Sequence, residues 1–181
     1  IMQNKKLSGT LDAKLISFKE FRELNSKLEK NKIIIYPQFK NFFKKKYYPN
    51  FNISYPLSMP KYLIPRQFND NLNKIKNNLK TDGLLIWNNA HVAYLLNLRS
   101  FELWNSTKPF AGLFIPKKNI KPVLITKNLN LNKISKIRNS FNIFREEKLI
   151  QFLKLSKLKS IETSYEFLNL NIYLRLSKFL N

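Results

Sequence analysis

Apolar residues at helical spacing alternate along most of the chain with short β-branched runs, and that alternation predicts its elements. The first element follows Ser17, which with Glu20 three residues later forms the capping-box pattern Ser-x-x-Glu; Phe18, Phe21, Leu24 and Leu28 then share one helical stripe. This helix should end near Asn31. It is followed by Ile33-Ile34-Ile35-Tyr36, a short run closed by Pro37 that reads as a buried strand. From Phe39 to Pro65 the pattern dissolves into aromatic residues, lysines and the prolines Pro49, Pro56, Pro60 and Pro65, which suits an arm or linker rather than long helices or central strands. Its aromatic side chains, Phe42, Phe43, Tyr47, Tyr48, Phe51 and Tyr55, are costly to leave in water and are expected to pack on the neighbouring domain.

Regular order resumes with a helix from about Gln67 to Leu79, whose Phe68, Leu72, Ile75 and Leu79 share a face. Asp82-Gly83 then punctuates the chain before Leu84-Leu85-Ile86-Trp87, a strand buried on both faces, and Asn88-Asn89 cap a short helix carrying Val92, Tyr94, Leu95 and Leu96. Strands at 111–115 and 122–126 are joined by Pro116-Lys117-Lys118-Asn119, a link short enough for an antiparallel hairpin. Beyond it the pattern predicts a helix near 130–138, a strand at 142–144, a helix at 146–155, a strand at 158–161 and a helix at 165–180. The expected fold class is α/β, a layered mixed sheet flanked by helices and preceded by a partial helix-strand unit and a Pro-rich arm. Residues 1–58 read as the remnant of a preceding domain plus the linker, and 59–181 as the α/β domain.

With 181 residues, 44% of them hydrophobic, the chain can build a real core. No apolar run approaches the ~18 residues needed to span a bilayer, and the opening Ile1-Met2-Gln3-Asn4-Lys5-Lys6 has no apolar stretch behind its charges. The expectation is therefore no membrane association and a cytoplasmic location, in a bacterium or endosymbiont, or an organellar matrix. The lack of cysteine removes disulfides and thiolate chemistry, a single histidine removes a multi-histidine metal site, and three glycines (Gly9, Gly83, Gly112) exclude a glycine-rich phosphate loop. Asp12, Asp70 and Asp82 sit in separate elements, Glu146-Glu147 open a helix where negative charge suits the dipole, and His91 reads as surface or rim. No catalytic residue, metal ligand or cofactor is assigned to the chain.

Thirty-three Lys and Arg against eleven acids give a net charge of +22, which suggests nucleic acid as a partner. Lysine nevertheless outnumbers arginine 27 to 6 and is scattered almost uniformly; with 24 asparagines and many Ile, Phe and Tyr residues, this is the set that A/T-rich codons encode. Genome drift accounts for the composition better than selected binding does. Lys44-Lys45-Lys46 is the only run of three and the candidate nucleic-acid contact. On that alternative reading the chain is a basic RNA-associated structural protein, such as an organellar ribosomal component, with RNA or the ribosome as partner.

The stretch 82–99 has the most character. Ala93-Tyr94-Leu95-Leu96-Asn97-Leu98-Arg99, set after a buried strand and a short helix and before a polar loop and two strands, resembles the amino-terminal creatinase-like domain of the Xaa-Pro aminopeptidases. Arg66 and the helix to Leu79 on one side, and Val123-Leu124-Ile125-Thr126 on the other, extend the resemblance. It implies a non-catalytic amino-terminal region that shapes the substrate entrance and dimer interface, with Arg99 near the active-site mouth. A rival reading has Arg99 capping the end of the preceding helix. The family pattern is broken at Ser100, where Gly is usual, at Thr126, where Asp is usual, and through the loop 101–108. The family's dinuclear metal centre belongs to a carboxy-terminal domain with no counterpart here, so the resemblance implies a chain truncated or split from that domain, with a separately encoded catalytic domain or a second copy as partner.

Overall fold

The computed structural model describes residues 7–39, 56–60, 64, 68–102, 106–118, 120–178 and 180. In chain order its elements are β1 (Ser8–Asp12), α1 (Phe18–Glu29), β2 (Ile34–Gln38), β3 (Leu57–Ser58), α2 (Phe68–Asn78), β4 (Gly83–Ile86), α3 (Asn89–Leu96), β5 (Leu98–Arg99), β6 (Ala111–Pro116), β7 (Val123–Thr126), a 3₁₀ turn (Leu129–Lys133), α4 (Ser135–Ser140), β8 (Asn142–Phe144), α5 (Glu146–Leu155), β9 (Glu162–Thr163) and α6 (Leu170–Leu176). They form two compact units, one from Ile1–Asn50 with Tyr165–Lys178 and the other from Phe51–Ser164 with Phe179–Asn181. The helix α6 therefore goes with the first unit, whereas the sequence boundary at 58/59 groups it with the second. The aromatic arm from Phe42 to Tyr55 lies outside the described residues.

In the first unit β1 and β2 pair in parallel, Ser8 opposite Ile34 and Asp12 opposite Gln38. The capping box forms as expected: Ser17 Oγ accepts from the Glu20 amide at 3.2 Å, and the Glu20 carboxylate accepts from the Ser17 amide at 2.8 Å. Those donations from Ser17 hold the Glu20 carboxyl below the usual carboxylate range. Phe18 stacks on Tyr173 of α6 with ring centroids 3.6 Å apart, and its amide donates to Leu168 O. The strand β2 is not buried as expected. Its residues alternate between exposed and half-buried, because its one sheet partner among the described residues is β1 and Ile34 and Tyr36 face water. The strand β1 escapes hydrophobic patterning altogether, since Ser8-Gly9-Thr10-Leu11-Asp12 has one large apolar residue and is extended through its pairing with β2.

The second unit is built on a sheet of order β8-β7-β6-β4-β9. The strand β6 runs antiparallel to β4 and β7, while β4 is parallel to β9 and β7 to β8, so four strands share one direction and β6 opposes them. The predicted hairpin is β6–β7. All six residues of β6 are buried. On one face Ala111, Leu113 and Ile115 join Phe68 and Leu72 of α2, Val92, Leu95 and Leu96 of α3, Leu124 of β7, and Ile137 and Phe141 at α4 in a continuous core. On the other face Phe114 meets Phe152 of α5 edge-on at 6.3 Å. Gly112 and Gly83 are dictated by this packing: a Cβ at Gly112 would sit 2.7 Å from the Trp87 ring, and one at Gly83 would sit 2.6 Å from the Phe114 ring.

Three predicted elements shift, each for a local reason. The helix expected at 130–138 divides at Ile134, whose extended backbone separates the 3₁₀ turn from α4. The strand expected at 158–161 forms later, at Glu162–Thr163, because the Lys159 and Ser160 amides donate to Asp82 instead of to a neighbouring strand. The helix expected from Tyr165 begins at Leu170, where Asn169 Oδ1 accepts from the Ile172 amide at 2.8 Å.

Ser17→Ala should cost about 1 kcal/mol of stability through loss of the cap. Phe114→Ala should cost about 3–5 kcal/mol by opening a cavity in the second unit, and Gly112→Ala about 1–3 kcal/mol by displacing the Trp87 ring. Urea unfolding of the three variants, followed by circular dichroism, checks the ranking.

Candidate functional site

The helix α3 starts on Asn88, whose Oδ1 accepts from the Ala90 and His91 amides at 2.8 and 3.2 Å. It ends on Asn97, held in the left-handed conformation at φ 52° with its amide donating to Ala93 O and Tyr94 O. Asparagine tolerates this conformation better than most residues, so the helix stops there and the chain turns into β5. The strand β5 pairs with β3, Arg99 opposite Leu57 and Leu98 opposite Ser58. Arg99 is half-buried, and its Nη1 donates to Leu98 O at 3.0 Å, the carbonyl of its own chain neighbour. That bond goes to β5 and not to the last turn of α3.

The chain then goes under cover. Ser100 is fully buried and Glu102 is 6% exposed. Glu102 Oε1 accepts from Ser100 Oγ at 2.7 Å and from Asn128 Nδ2 at 2.8 Å, and its Oε2 accepts from the Phe110 amide at 3.0 Å. Thr126 Oγ1 donates to Phe110 O at 3.2 Å and accepts from the Asn128 amide at 3.0 Å; Asn128 Oδ1 in turn accepts from the Asn130 amide. One buried carboxylate thus ties the start of the 100–110 loop, its end and the turn after β7 into a single network at the carboxyl ends of the sheet's shared-direction strands. Ligands of open α/β sheets are bound at that end of the strands.

This network was not legible by pattern, because Glu102 lies in a loop with no periodicity. Two of the departures that the resemblance marks, Ser100 and Thr126, fall in this cluster: Ser100 Oγ donates to Glu102 and Thr126 Oγ1 to Phe110 O. The oxygens of Glu102 accept from Ser100, Asn128 and Phe110, so the group joins residue 102 to the start of β6 and the turn after β7.

The other sequence candidates stay apart. His91 is exposed on α3. Asp12 is buried in the first unit, where its Oδ1 accepts from the Lys14 amide. Asp70 is exposed in the first turn of α2, and Glu146 and Glu147 occupy the first turn of α5 as expected. Among the described residues no three His, Cys, Asp or Glu side chains are grouped to hold a metal ion, and no helix is long and apolar enough to cross a membrane. An open hollow in the first unit is lined by Leu11, Asp12, Leu15 and Leu24 together with Glu20, which is already committed to the helix cap. Lys44, Lys45, Lys46 and Arg66 lie outside the described residues.

Among solved structures, X-prolyl aminopeptidase from Caenorhabditis elegans, described as a cytosolic enzyme with a di-nuclear active site, is similar over 94% of this chain and 30% of its own, with TM-score 0.75 and 14% identity. The Creatinase/Prolidase N-terminal domain of an X-Pro dipeptidase from Streptococcus pyogenes aligns over 62% of this chain and 88% of its own, with TM-score 0.43 and 18% identity. The fold is that of the region of the worm X-prolyl aminopeptidase with which this chain aligns. Xaa-Pro dipeptidase from Bacillus anthracis also aligns, over 63% of this chain and 31% of its own, with TM-score 0.45 and 15% identity. No protein-family model matches the sequence, and no curated protein matches it. The chain spans about a third of the worm enzyme, and in its second unit Arg99 and the Glu102 network follow one another directly on the chain after α3.

Glu102→Ala should leave Ser100 Oγ, Asn128 Nδ2 and the Phe110 amide without their acceptor and cost about 3 kcal/mol or more, as read from urea midpoints. Asp82 makes a pH prediction. Hydrogen bonds from the Lys159 and Ser160 amides, helped by the charges of Lys118 and Lys159, hold its carboxyl below the usual range. A depressed folded pKa adds stability above the unfolded value near 3.9, and that stability is lost as pH falls through the folded value. Asp82→Asn should therefore be less stable than the parent at pH 7, with the gap closing on acidification below about pH 4; a series of unfolding midpoints against pH reads it.

Proposed function

We propose that the chain serves as the non-catalytic amino-terminal region of an Xaa-Pro aminopeptidase-like protein, shaping the substrate entrance and subunit contacts of a metal-bearing catalytic domain whose residues lie outside this sequence. The observation that carries this reading is the likeness to the worm enzyme, which extends over 94% of this chain and so takes in far more than the five-stranded sheet. A dinuclear metal centre does not fit the residues present. Asp12, Asp70 and Asp82 lie apart, in β1, in α2 and in the turn before β4, and Glu102 already accepts three hydrogen bonds. The chain's own contribution is positional. The Glu102 network fixes the loop that leaves β5, and Arg99, half-buried at its start, is the cationic side chain best placed to meet a peptide backbone or carboxylate presented by a bound substrate.

Native mass analysis of the endogenously tagged protein should recover it joined to, or in complex with, a metal-bearing peptidase; recovery with ribosomal particles alone overturns the proposal. In that peptidase Arg99→Ala should raise KM for Xaa-Pro peptides several-fold with little change in kcat, and unchanged kinetics would remove Arg99 from the role. Added manganese should not confer Xaa-Pro peptide hydrolysis on this chain by itself.

A further inference from the structure

The shared direction of β4, β7, β8 and β9 gives the sheet two unlike rims. Where these strands end stands the Glu102 network. Where they begin, the connections carry Lys80 before β4, Lys117 and Lys118 after β6, Lys121 before β7, Arg138 near the end of α4, and Lys157 and Lys159 ahead of β9. All seven are exposed. The strand order strings them out as Arg138 and Lys121, then Lys117 and Lys118, then Lys80, then Lys157 and Lys159. Four inter-strand gaps at ~4.8 Å make this row about 19 Å long.

Several hydrogen bonds pin the row in place. Lys121 Nζ donates to Arg138 O at 3.0 Å, Lys117 Nζ to Leu79 O at 2.7 Å, and the Lys117 amide to Asp82 O at 2.8 Å. The rim's two acids are engaged locally: Asp82 accepts from the Lys159 and Ser160 amides and lies within the field of Lys118 and Lys159, and Glu162 Oε1 accepts from the Lys80 amide and Thr81 Oγ1. Among the described residues no ion pair involves any of the seven cations. Attraction to helix carboxyl ends explains cations such as Arg138 and Lys157. Helix ends also account for Lys117 and Lys121, whose ammonium groups donate to Leu79 O just after α2 and to Arg138 O in the last turn of α4, but not for Lys118, which sits in the hairpin connection.

We propose that this rim is a docking track for the phosphate backbone of double-helical nucleic acid. A duplex presents one charge per ~1.7 Å of axis, so a row of about 19 Å faces roughly eleven phosphate charges. The row consists almost entirely of lysine, whose point charge suits phosphate and leaves bases and sugars unread. Unpaired bases would need aromatic surfaces to stack on. Among the described residues, the exposed aromatic side chains of the second unit, Tyr94, Phe101 and Phe110, belong instead to α3 and the 100–110 loop. RNA and DNA duplexes should accordingly bind alike, and single strands less well. This surface is independent of the peptidase reading and shares no residue with it.

The test uses the full chain and fluorescence anisotropy with 20-bp RNA and DNA duplexes across about 50 to 200 mM salt. A rim variant, K80Q/K118Q/K157Q/K159Q, is compared with K27Q/K30Q/K74Q/K108Q, which removes the same charge from exposed positions elsewhere, and circular dichroism verifies that both fold. The expected result is that the rim variant alone loses at least tenfold in affinity, with its salt slope shallower by about 3 to 4, while the control stays within about threefold of the parent. Equal losses in the two variants would mean that net charge and not this rim is responsible. Failure of both duplexes to bind at about 50 mM salt, single strands binding as tightly as duplexes, or polyglutamate competing as well as unlabelled duplex would each overturn the proposal.

Discussion

Everything in the second unit depends on burying both faces of β6. A central strand with no solvent side must be apolar throughout and must have helices on each face, and its neighbours must match it in volume. Ala111, Leu113 and Ile115 draw α2, α3 and α4 onto one side. Phe114 draws α5 onto the other. Gly112 and Gly83 are the reciprocal of that crowding: where Trp87 and Phe114 put their rings, the opposing strand has no room even for a methyl group. Once β6 is fixed, the four strands that run against it set the direction of every connection, and with it the contrast between the two rims.

The Glu102 network converts that scaffold into a positioned loop. A buried carboxylate is expensive unless its oxygens are satisfied, and here the donors come from Ser100, Phe110 and Asn128, so the desolvation cost is offset only when the loop, the start of β6 and the turn after β7 are all in place. Two positions where the sequence leaves the creatinase-like pattern fall inside this cluster. They make sense together as one repacked polar core, in a way that neither does alone.

Elements with strong local signals were legible in the sequence. The Ser17–Glu20 box, the Asn88 cap, the β6–β7 hairpin and the bounds of α5 follow from side chains that act on their own backbone or alternate cleanly. What escaped was decided at a distance. The strand β1 exists through its pairing with β2, β9 is displaced because Asp82 captures two amides from a segment almost eighty residues away, and β2 is half-exposed because its sheet has two strands. Of the candidate site, Arg99 was singled out by the motif that carries it, and its role is a proposal. Glu102 was not, since one acid in an irregular loop looks the same whether it is solvated or buried.

The rim where four strands begin also sheds light on how such a composition is tolerated. Several helices end there, and their carboxyl ends project a partial negative charge into solvent. A lysine at this rim meets backbone carbonyls at those helix ends, as Lys117 Nζ does at Leu79 O and Lys121 Nζ at Arg138 O. The topology thereby supplies acceptors for cations at one end of the sheet, independently of any ligand. Polarity of charge can in this way be inherited from topology before any partner selects it.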